Sequence, residues 1–435
     1  MATLRLRAVL AFGLLLCAPS LVWANGFRIP DQGAKAMGMA NAAAAQGTDA
    51  TALYTNPAAV GELDGTYTAS GFTFIYAMGA EFTSDGRDPA GFNGPLPDET
   101  SDDQLFVPAH MFLVTDGGTE RWNFGLAIFT PFGLGRDWDN PRGFARNVDD
   151  VDLQTGEIQL SVTYEIMDNM YFAVMGRYML ARLNLEASPQ IFLGPAPLGT
   201  HTIDVSADGD GFGYGAAFYW EPCDAVNVGL LYRSEITAEL DGHAEANRIL
   251  TFLQPAVGGR SSFETEVNTE IHFPSNLALG IAFKPTDELL IEVDVDFTMW
   301  ESFQGLSAHL DAQLPPLMTN EILSLKAGWH NTFTYRLGGQ YTINDQWKAR
   351  LGYVYDQNPV PDHTLHPSLP DSDRHGATFG VGYTSGDYTI DFAYMALFFE
   401  DRDVNNGITS PQNPLHDGTY ENMAHLWALT IGKKW

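Results

Sequence analysis

Histidine and carboxylate side chains are the first candidates for chemistry in this sequence, because both bind metal ions. His363-x-x-His366 with His375 offers three imidazoles, but the flanking prolines place the motif in a loop, which favours a chance cluster over a zinc site. Asp208-Gly-Asp210-Gly has the composition of a calcium loop and lacks the downstream Glu that such a loop needs. We therefore predict no metal ion and no cofactor.

A catalytic nucleophile is not indicated either. A hydrolase would need a serine bonded to a histidine that a third group orients, and the sequence contains no G-x-S-x-G motif. Eleven histidines make accidental Ser–His pairs easy, so such pairs carry no weight. We predict that the protein is not an enzyme and that no residue is catalytic.

The charge balance is strongly acidic, with 54 Asp and Glu against 23 Lys and Arg and a formal net charge of −31. Phosphate binding needs clustered basic side chains, so we predict no nucleic-acid partner. The acids gather in two long loops, at Asp85, Asp88, Asp98, Glu99, Asp102 and Asp103 and at Asp137, Asp139, Asp149, Asp150 and Asp152. We expect a solvated face there, with loose binding of divalent cations as the alternative.

Arg233 and Glu235 form a candidate ion pair. They lie two residues apart in the stretch 225–239, whose alternation predicts a strand. Residues two apart on a strand share a face. We predict that the pair lies inside the molecule and holds an internal segment; general polarity of that face is the alternative.

Two further loops are unusually apolar. Their apolar residues are Ile191, Phe192, Leu193 and Leu198 in the first and Ile249, Leu250, Phe252 and Leu253 in the second. Exposed apolar patches usually mark binding surfaces, so we predict that these loops capture a hydrophobic ligand. Packing of the loops on one another as a lid is the alternative, and the two are compatible.

Amphipathic strands must position these groups. In residues 287–299, the apolar side chains of Ile291, Val293 and Val295 alternate with acidic ones. Such alternation gives each strand one apolar and one polar face. Many runs are far longer than the ~5–6 residues of an average strand in a soluble protein. That length is typical of strands that cross a bilayer at a tilt.

The strand count is fourteen. Candidate strands run from 65–83 to 421–435, with 262–284 counted as one strand across Pro274. Tight turns alternate with long connections throughout, which with an even strand number is typical of an outer-membrane barrel. A barrel must also close, because lipid cannot satisfy an open sheet edge. We predict an all-β, 14-stranded antiparallel transmembrane barrel over residues 65–435, in the outer membrane of a Gram-negative cell.

The first 64 residues do not fit the strand pattern. Arg5 and Arg7 precede an apolar run over 8–23, which predicts a signal peptide cleaved after residue 24; an uncleaved anchor helix is the alternative. Residues 25–64 contain a run rich in Ala, Gly and Met over 33–45. Small residues suit crowded packing, so we predict a plug, or hatch, in the barrel lumen. A periplasmic tail is the alternative.

Four stretches resemble the FadL-type family of outer-membrane transport proteins (OmpP1/FadL/TodX-like), which carry long-chain fatty acids and hydrocarbons. They are Asn25-Gly-Phe27, 49–58 with its Asn56-Pro57-Ala58, 231–235, and Asp356-x-x-Pro-Val-Pro followed by Pro370-Asp-x-Asp-Arg. Each stretch is short, but together they occur in order over nearly the whole chain.

The resemblance implies passive uptake of a hydrophobic ligand through a barrel closed by an N-terminal hatch. The ligand would pass from the loops to a pocket, and movement of the hatch N-terminus would release it through a lateral opening at a kink in strand three. Asn56, Pro57 and Ala58 would lie near that kink as the gate. Phe27 would touch the ligand in the pocket.

Departures from the family bear on the substrate. A buried carboxylate needs cationic partners, and the two cationic family positions correspond to Ala187 and His330 here. Arg182, Arg336 and Arg350 are further candidate lumen cations. We predict a substrate whose carboxylate is optional, with neutral hydrocarbons only as the alternative. The predicted pocket residues are Phe27, His330, Arg336 and Arg350.

Other functions would need other features. A general porin would have about 16–18 strands and no plug segment. An outer-membrane lipase and a structural adhesin are the alternatives from other classes. The expected partners are a hydrophobic small molecule, outer-membrane lipid, lipopolysaccharide and the barrel-assembly machinery. We expect a monomer.

Overall fold

A computed structural model describes residues 26–86, 97–138, 150–187, 190–193, 196–200, 202–247, 261–310, 321–325, 328–405 and 417–435. Its helices are short: α1 (Ala34–Met37), α2 (Ala52–Thr55) and the 3₁₀ helices Pro57–Glu62, Trp300–Ser302 and Asp362–Thr364. Among these residues no helix is both long enough and apolar enough to span a membrane.

The rest of the described chain is mostly strand. In chain order the strands are β1 (Thr66–Ala77), β2 (Glu81–Ser84), β3 (Glu99–Thr100), β4 (Gln104–Phe106), β5 (Ala109–Thr115), β6 (Trp122–Phe129), β7 (Gly133–Asp137), β8 (Asp150–Met167), β9 (Met170–Ala187), β10 (Gln190–Leu193), β11 (Ala196–Thr200), β12 (Thr202–Cys223), β13 (Val226–Arg233), β14 (Ile236–Asn247), β15 (Phe263–Phe273), β16 (Asn276–Phe283), β17 (Leu289–Thr298), β18 (Leu306–Leu310), β19 (Glu321–Leu325), β20 (Thr332–Thr342), β21 (Trp347–Asp356), β22 (Arg374–Ser385), β23 (Tyr388–Phe399), β24 (Arg402–Val404), β25 (Gly418–Glu421) and β26 (Met423–Lys434).

Twenty of these strands form one closed antiparallel wall. The wall closes where β1 pairs with β26, from Tyr67 opposite Lys434 to Ala77 opposite Ala424. Six wall strands consist of two successive pieces, namely β4–β5, β6–β7, β13–β14, β15–β16, β17–β18 and β19–β20. Counted with these pieces joined, the wall has fourteen strands, which confirms the predicted barrel.

Proline accounts for one of the interruptions. The predicted strand 262–284 is present as β15 and β16, which are separated at Pro274 and Ser275. Proline has no N–H to donate to a ladder, so pairing stops there. The two pieces pair with β14 and β13 respectively, which keeps them in the same wall strand.

The two faces of the wall differ as the alternation predicts. On β17, Glu292 and Asp294 are buried on the inward face, at 0% and 2% exposure. On β21, Arg350 is 4% exposed whereas its neighbour Leu351 is 69% exposed. Apolar side chains therefore line the outside and polar ones the inside, the arrangement that a lipid-embedded barrel needs.

The two ends of the wall also differ. At one end the strands turn tightly: Gly117 and Gly118 both have positive φ between β5 and β6, and Asn169 has φ 61° between β8 and β9. Positive φ is typical of such turns and favours Gly and Asn. At the other end the long connections form two extra sheets, β10–β11 and β24-β25-β2-β3.

Candidate functional site

The N-terminal segment (residues 26–64) meets the inward face of the wall through its main chain. Asp294 accepts hydrogen bonds from the main-chain N–H groups of Ala43 (2.9 Å) and Ala44 (3.0 Å). Glu292 accepts from Ala45 at 2.6 Å. The same pattern recurs for Ala34 with Thr430 and for Ala40 with Thr378. Because the residues of this run are small, its main chain lies close to the wall, and wall side chains accept hydrogen bonds from its N–H groups.

Asn56 and Pro57 bond to the strands β12 and β8, and Ala58 bonds to Asn56. Asn56 Nδ2 donates to the carbonyls of Ala44 (2.7 Å) and Phe218 (3.1 Å). Its Oδ1 accepts from Ala58 N–H at 3.0 Å, which caps the 3₁₀ helix that begins at Pro57. The Pro57 carbonyl accepts from the Thr163 hydroxyl at 2.8 Å. Their role at a lateral gate stays a prediction.

Phe27 occupies a cage of aromatic rings and is 5% exposed. The cage rings and their centroid distances are Trp300 (5.0 Å), Phe303 (5.3 Å), Trp329 (5.8 Å), Phe132 (5.9 Å) and Phe273 (6.2 Å). Interplanar angles of 59° to 82° make these contacts close to edge-on, the favourable geometry for aromatic pairs. The Phe27 ring, which was predicted to touch a ligand, is therefore enclosed by the five rings of the cage.

Gly26 anchors the start of the segment beside this cage. It has φ 59°, and a Cβ there would come within 2.8 Å of the Trp300 ring, so that only glycine fits. Its N–H donates to Asp371 Oδ2 at 3.0 Å. Burial raises the pKa of the Asp371 carboxyl to about 6. The contact between the segment and the connection after β21 therefore involves a group that titrates in a mildly acidic range.

The third wall strand is interrupted at Thr130, Pro131 and Phe132, between β6 and β7, and this interruption is called the kink below. The N-terminal segment pairs with this kink from the inside. Ile29 N–H donates to the Pro131 carbonyl at 2.8 Å, and Gly133 N–H donates to the Phe27 carbonyl at 3.0 Å. These two bonds flank a bridge between Arg28 and Phe132. The segment is thus joined to the kink by a single antiparallel bridge.

The kink coincides with a gap in the wall. β5 and β6 pair over five residues and stop at Met111 opposite Ile128. Among the described residues, β7 pairs with β8 alone. Within residues 97–138 the next main-chain bond between the second and third wall strands runs from Asp102 N–H to the Asp137 carbonyl. Between these points the ladder is open.

A cavity of about 510 Å³ lies behind this gap. Its lining includes the segment start from Gly26 to Asp31, both sides of the gap from Leu105 to Pro108 and from Phe132 to Arg136, and parts of β8, β20, β21 and β23. Its size is within the range of about 300–1,000 Å³ that small-molecule sites have. The cavity, the cage of Phe27 and the open ladder are therefore adjacent.

Most lumen arginines are paired with carboxylates. Asp296 Oδ2 lies 3.2 Å from Arg28 and 2.8 Å from Arg336. Arg374 pairs with Asp356 at 3.0 Å. Each of these guanidinium groups already has a charge partner, so it is a poor candidate for binding the anionic group of a ligand.

The other predicted pocket cations lie elsewhere. Arg350 pairs with Asp391 at 2.6 Å and does not line the cavity. His330 is exposed and also lies outside the cavity lining, although its neighbour Trp329 belongs to the Phe27 cage. Arg182 is exposed on β9. Of the four predicted pocket residues, the structure brings Phe27 and Arg336 together at the cavity.

Arg233 and Glu235 have different partners. Arg233 is buried and bonds to Glu157, to Gln159 at 2.9 Å and to the Tyr54 carbonyl at 2.7 Å. Glu235 bonds to His272 at 2.9 Å. The reason is that β13 ends at Arg233 and β14 begins at Ile236, so the two-residue period is broken between them. Arg233 contacts the segment through Tyr54, but the structure does not pair it with Glu235.

The predicted capture loops are only partly described. The structure pairs the main chain of Gln190–Leu193, which carries Ile191, Phe192 and Leu193, with that of Ala196–Thr200, which carries Leu198. The residues Ile249, Leu250, Phe252 and Leu253 lie outside the described residues. Capture of a ligand by these loops stays a prediction.

The candidate metal motif has other bonding partners in this structure. His366 bonds to Ser368 at 2.9 Å, and His375 bonds to Glu400 at 2.9 Å. In the described part of the chain no group of three or more His, Cys, Asp or Glu is arranged to hold a metal ion.

The resemblance implied a kink in strand three without a position, and Pro131, directly after the predicted strand end at residue 130, was the available signal for it. Arg136 was not among the predicted residues, because what sets it apart is that no carboxylate among the described residues lies within salt-bridge distance. No pattern within one strand reveals such an absence.

The chain is similar in sequence to known outer-membrane proteins. Residues 15–434 match the family model described as outer membrane protein transport protein (OMPP1/FadL/TodX). A putative outer membrane protein of Neisseria meningitidis serogroup B is 25% identical, over 91% of this chain and 90% of the relative. The long-chain fatty acid transport protein of Escherichia coli O157:H7 is 22% identical, over 93% of this chain and 94% of the relative.

Solved structures show the same fold. A FadL homologue from Pseudomonas aeruginosa superposes with a TM-score of 0.82 at 21% identity, and the match covers 94% of this chain and 100% of the other. The toluene transporter TodX of P. putida superposes with a TM-score of 0.67 at 16% identity, covering 93% of this chain and 98% of the other.

Proposed function

This chain belongs to the OMPP1/FadL/TodX family of outer membrane transport proteins, and we propose that it takes up hydrophobic compounds through an opening in its own wall. The family and the barrel fold place the chain in the outer membrane of a Gram-negative cell. The relatives named for long-chain fatty acids and for toluene support a substrate of that class, fatty acid or hydrocarbon. We further propose that residues 1–24 are removed as a signal peptide.

The single observation that carries the proposal is the open ladder beside the cavity. A closed ladder leaves no passage between neighbouring strands, which lie only about 4.8 Å apart. Here the ladder between the second and third wall strands is interrupted beside a cavity of about 510 Å³. A hydrophobic molecule that leaves sideways enters the bilayer directly and never crosses water.

The N-terminal segment is proposed to be the hatch that closes this route. Its start bonds to the kink through Ile29 and Gly133, and the ring of Phe27 fills the aromatic cage. Release of these contacts would open the cage and the gap together. The apolar loops at 191–198 and 249–253 are proposed to capture the ligand first. No energy source is involved, because the ligand moves down its own concentration gradient.

A disulfide across the kink tests the hatch directly. Arg28 and Phe132 face each other as a bridge whose flanking residues carry the hydrogen bonds. Such non-hydrogen-bonded pairs have Cα atoms about 4.5 Å apart, within the range of disulfide geometry. We would combine Arg28→Cys and Phe132→Cys in a Cys223→Ser background and reconstitute the barrel in liposomes. Labelled oleate and hexadecane uptake should stop on oxidation and return on reduction.

The two single-cysteine variants are the matched controls, since they carry the same losses of packing and charge without the cross-link. Their uptake should not respond to oxidant. Undiminished uptake through the oxidised double variant would rule out opening at the kink. Steady ion conductance of the oxidised form would instead indicate an aqueous pore.

A further inference from the structure

Four arginines line the cavity, at positions 28, 136, 336 and 374. Three of them have a carboxylate within salt-bridge distance, namely Asp296 for Arg28 and Arg336 and Asp356 for Arg374. Arg136 differs, because its one side-chain bond in the described chain is to the hydroxyl of Ser101, at 2.9 Å. Within the described ranges, no acid therefore balances its charge.

The guanidinium of Arg136 is also incompletely bonded. Its Nε is buried and has no hydrogen-bond partner among the described residues. Arginine has five N–H donors in a fixed fork, and burying a charge without partners is costly. Asp152 lines the same cavity but pairs in register with Gly135 and bonds to Gln154. The arrangement leaves donors available for an anion that the chain itself does not provide.

The surroundings of Arg136 are otherwise apolar. Its register partner Val151 is 2% exposed, and Leu153 on the same strand is 5% exposed. Gly135, the neighbour of Arg136, presents the other face of the strand. On that face the Phe106 ring is 2.5 Å and Oε1 of Gln104 2.9 Å from the position of a Cβ on Gly135. The Arg136 face thus carries one cation beside apolar neighbours.

We propose that Arg136 binds the carboxylate of a fatty acid at the wall opening. The acyl chain would lie in the cavity toward Phe27, and the guanidinium would bind the two carboxylate oxygens as a fork. The inference rests on the proposed function and makes its substrate specific, since it selects an amphiphile with an anionic head over a neutral hydrocarbon.

The test compares two probes with the same acyl chain, one with an anionic carboxylate and one with a neutral methyl ester. Binding of labelled oleate and of its methyl ester to the purified full-length barrel in detergent is measured for the wild type, Arg136→Met and Arg136→Lys. Oleate affinity should fall about tenfold to a hundredfold in Arg136→Met, the size of a lost charge-assisted pair. The methyl ester should bind as before. Arg136→Lys should lose less oleate affinity than Arg136→Met, because lysine keeps the positive charge but lacks the forked N–H donors of arginine.

Arg182→Met is the matched control, because Arg182 is exposed on β9 and does not line the cavity. It should bind both probes as the wild type does. Unchanged oleate affinity in Arg136→Met, or an equal loss for both probes, would overturn the role of Arg136. Failure of the wild type to bind either probe would overturn the proposed function itself, so the two failures are distinguishable.

Discussion

Replacing Phe27 by alanine should release the N-terminal segment from the kink without unfolding the barrel. Phe27 is 5% exposed and contacts five aromatic rings at centroid distances of 5.0 to 6.2 Å. Truncating a buried Phe to Ala costs ~3–5 kcal/mol in protein cores. We take about 3 kcal/mol, because the facing rings can partly collapse into the space. At about 1.4 kcal/mol per factor of ten, the open population rises about a hundredfold.

Hydrogen exchange measures this opening at two amides. Ile29 N–H and Gly133 N–H donate across the contact between the segment and the kink, at 2.8 and 3.0 Å. Exchange of such amides follows the free energy of local opening. Both should exchange about a hundredfold faster in Phe27→Ala, whereas the amides of the long β8–β9 ladder should not change. Mass spectrometry of peptides covering each amide provides the readout.

The matched control is Phe72→Ala, because Phe72 is 51% exposed on the outward face of β1 and lies outside the cage. It should leave both amides as protected as in the wild type. Wild-type exchange at Ile29 and Gly133 in Phe27→Ala would refute the idea that the ring holds the segment. Equal acceleration in β8 and β9 would show general destabilisation instead.

Two further predictions concern other contacts of the segment. Gly229→Ala should displace the segment near Ala44, because the new Cβ would lie 1.8 Å from the Ala44 carbonyl oxygen. Ion conductance in planar bilayers should therefore rise. The control Gly156→Ala should leave the conductance unchanged, because a Cβ there has no atom within 4 Å. Asp371 should make stability depend on pH, because burial raises the pKa of its carboxyl from 3.8 to about 6. The folded state therefore binds the proton more tightly than the unfolded state does. The free energy of unfolding should fall as pH rises from 4.5 to 7. Asp371→Asn should remove that part of the pH dependence in thermal unfolding, and an unchanged profile would show that Asp371 is solvated.

The strand pattern was predictable because side-chain direction alternates strictly along a strand. The acidic residues of β17 and the apolar ones between them face opposite sides, as their sequence order requires. Strand number followed from the alternation of tight turns and long connections. Neither the side-chain direction nor the strand number depends on which strands are neighbours in the wall.

The site was less predictable because it depends on register between strands. Arg336 is paired with Asp296 because β17 and β20 are neighbours, with Asp294 opposite Arg336 and Asp296 two residues away on the same face. Arg233 faces Glu157 from a strand distant in sequence. A sequence identifies such charges but not their partners. It therefore could not show that Arg336 is neutralised and that Arg136 is not.

The most direct measurement is photo-crosslinking of a labelled fatty acid to the reconstituted protein, with the modified residues located by mass spectrometry. The central claim is that the ligand leaves through the wall between the second and third strands. It predicts inward-facing labels at Phe132 and Leu134 and a label at Phe106 across the gap. Labels confined to inward-facing residues at the tight-turn end, around Ala59 and Tyr219, would contradict it.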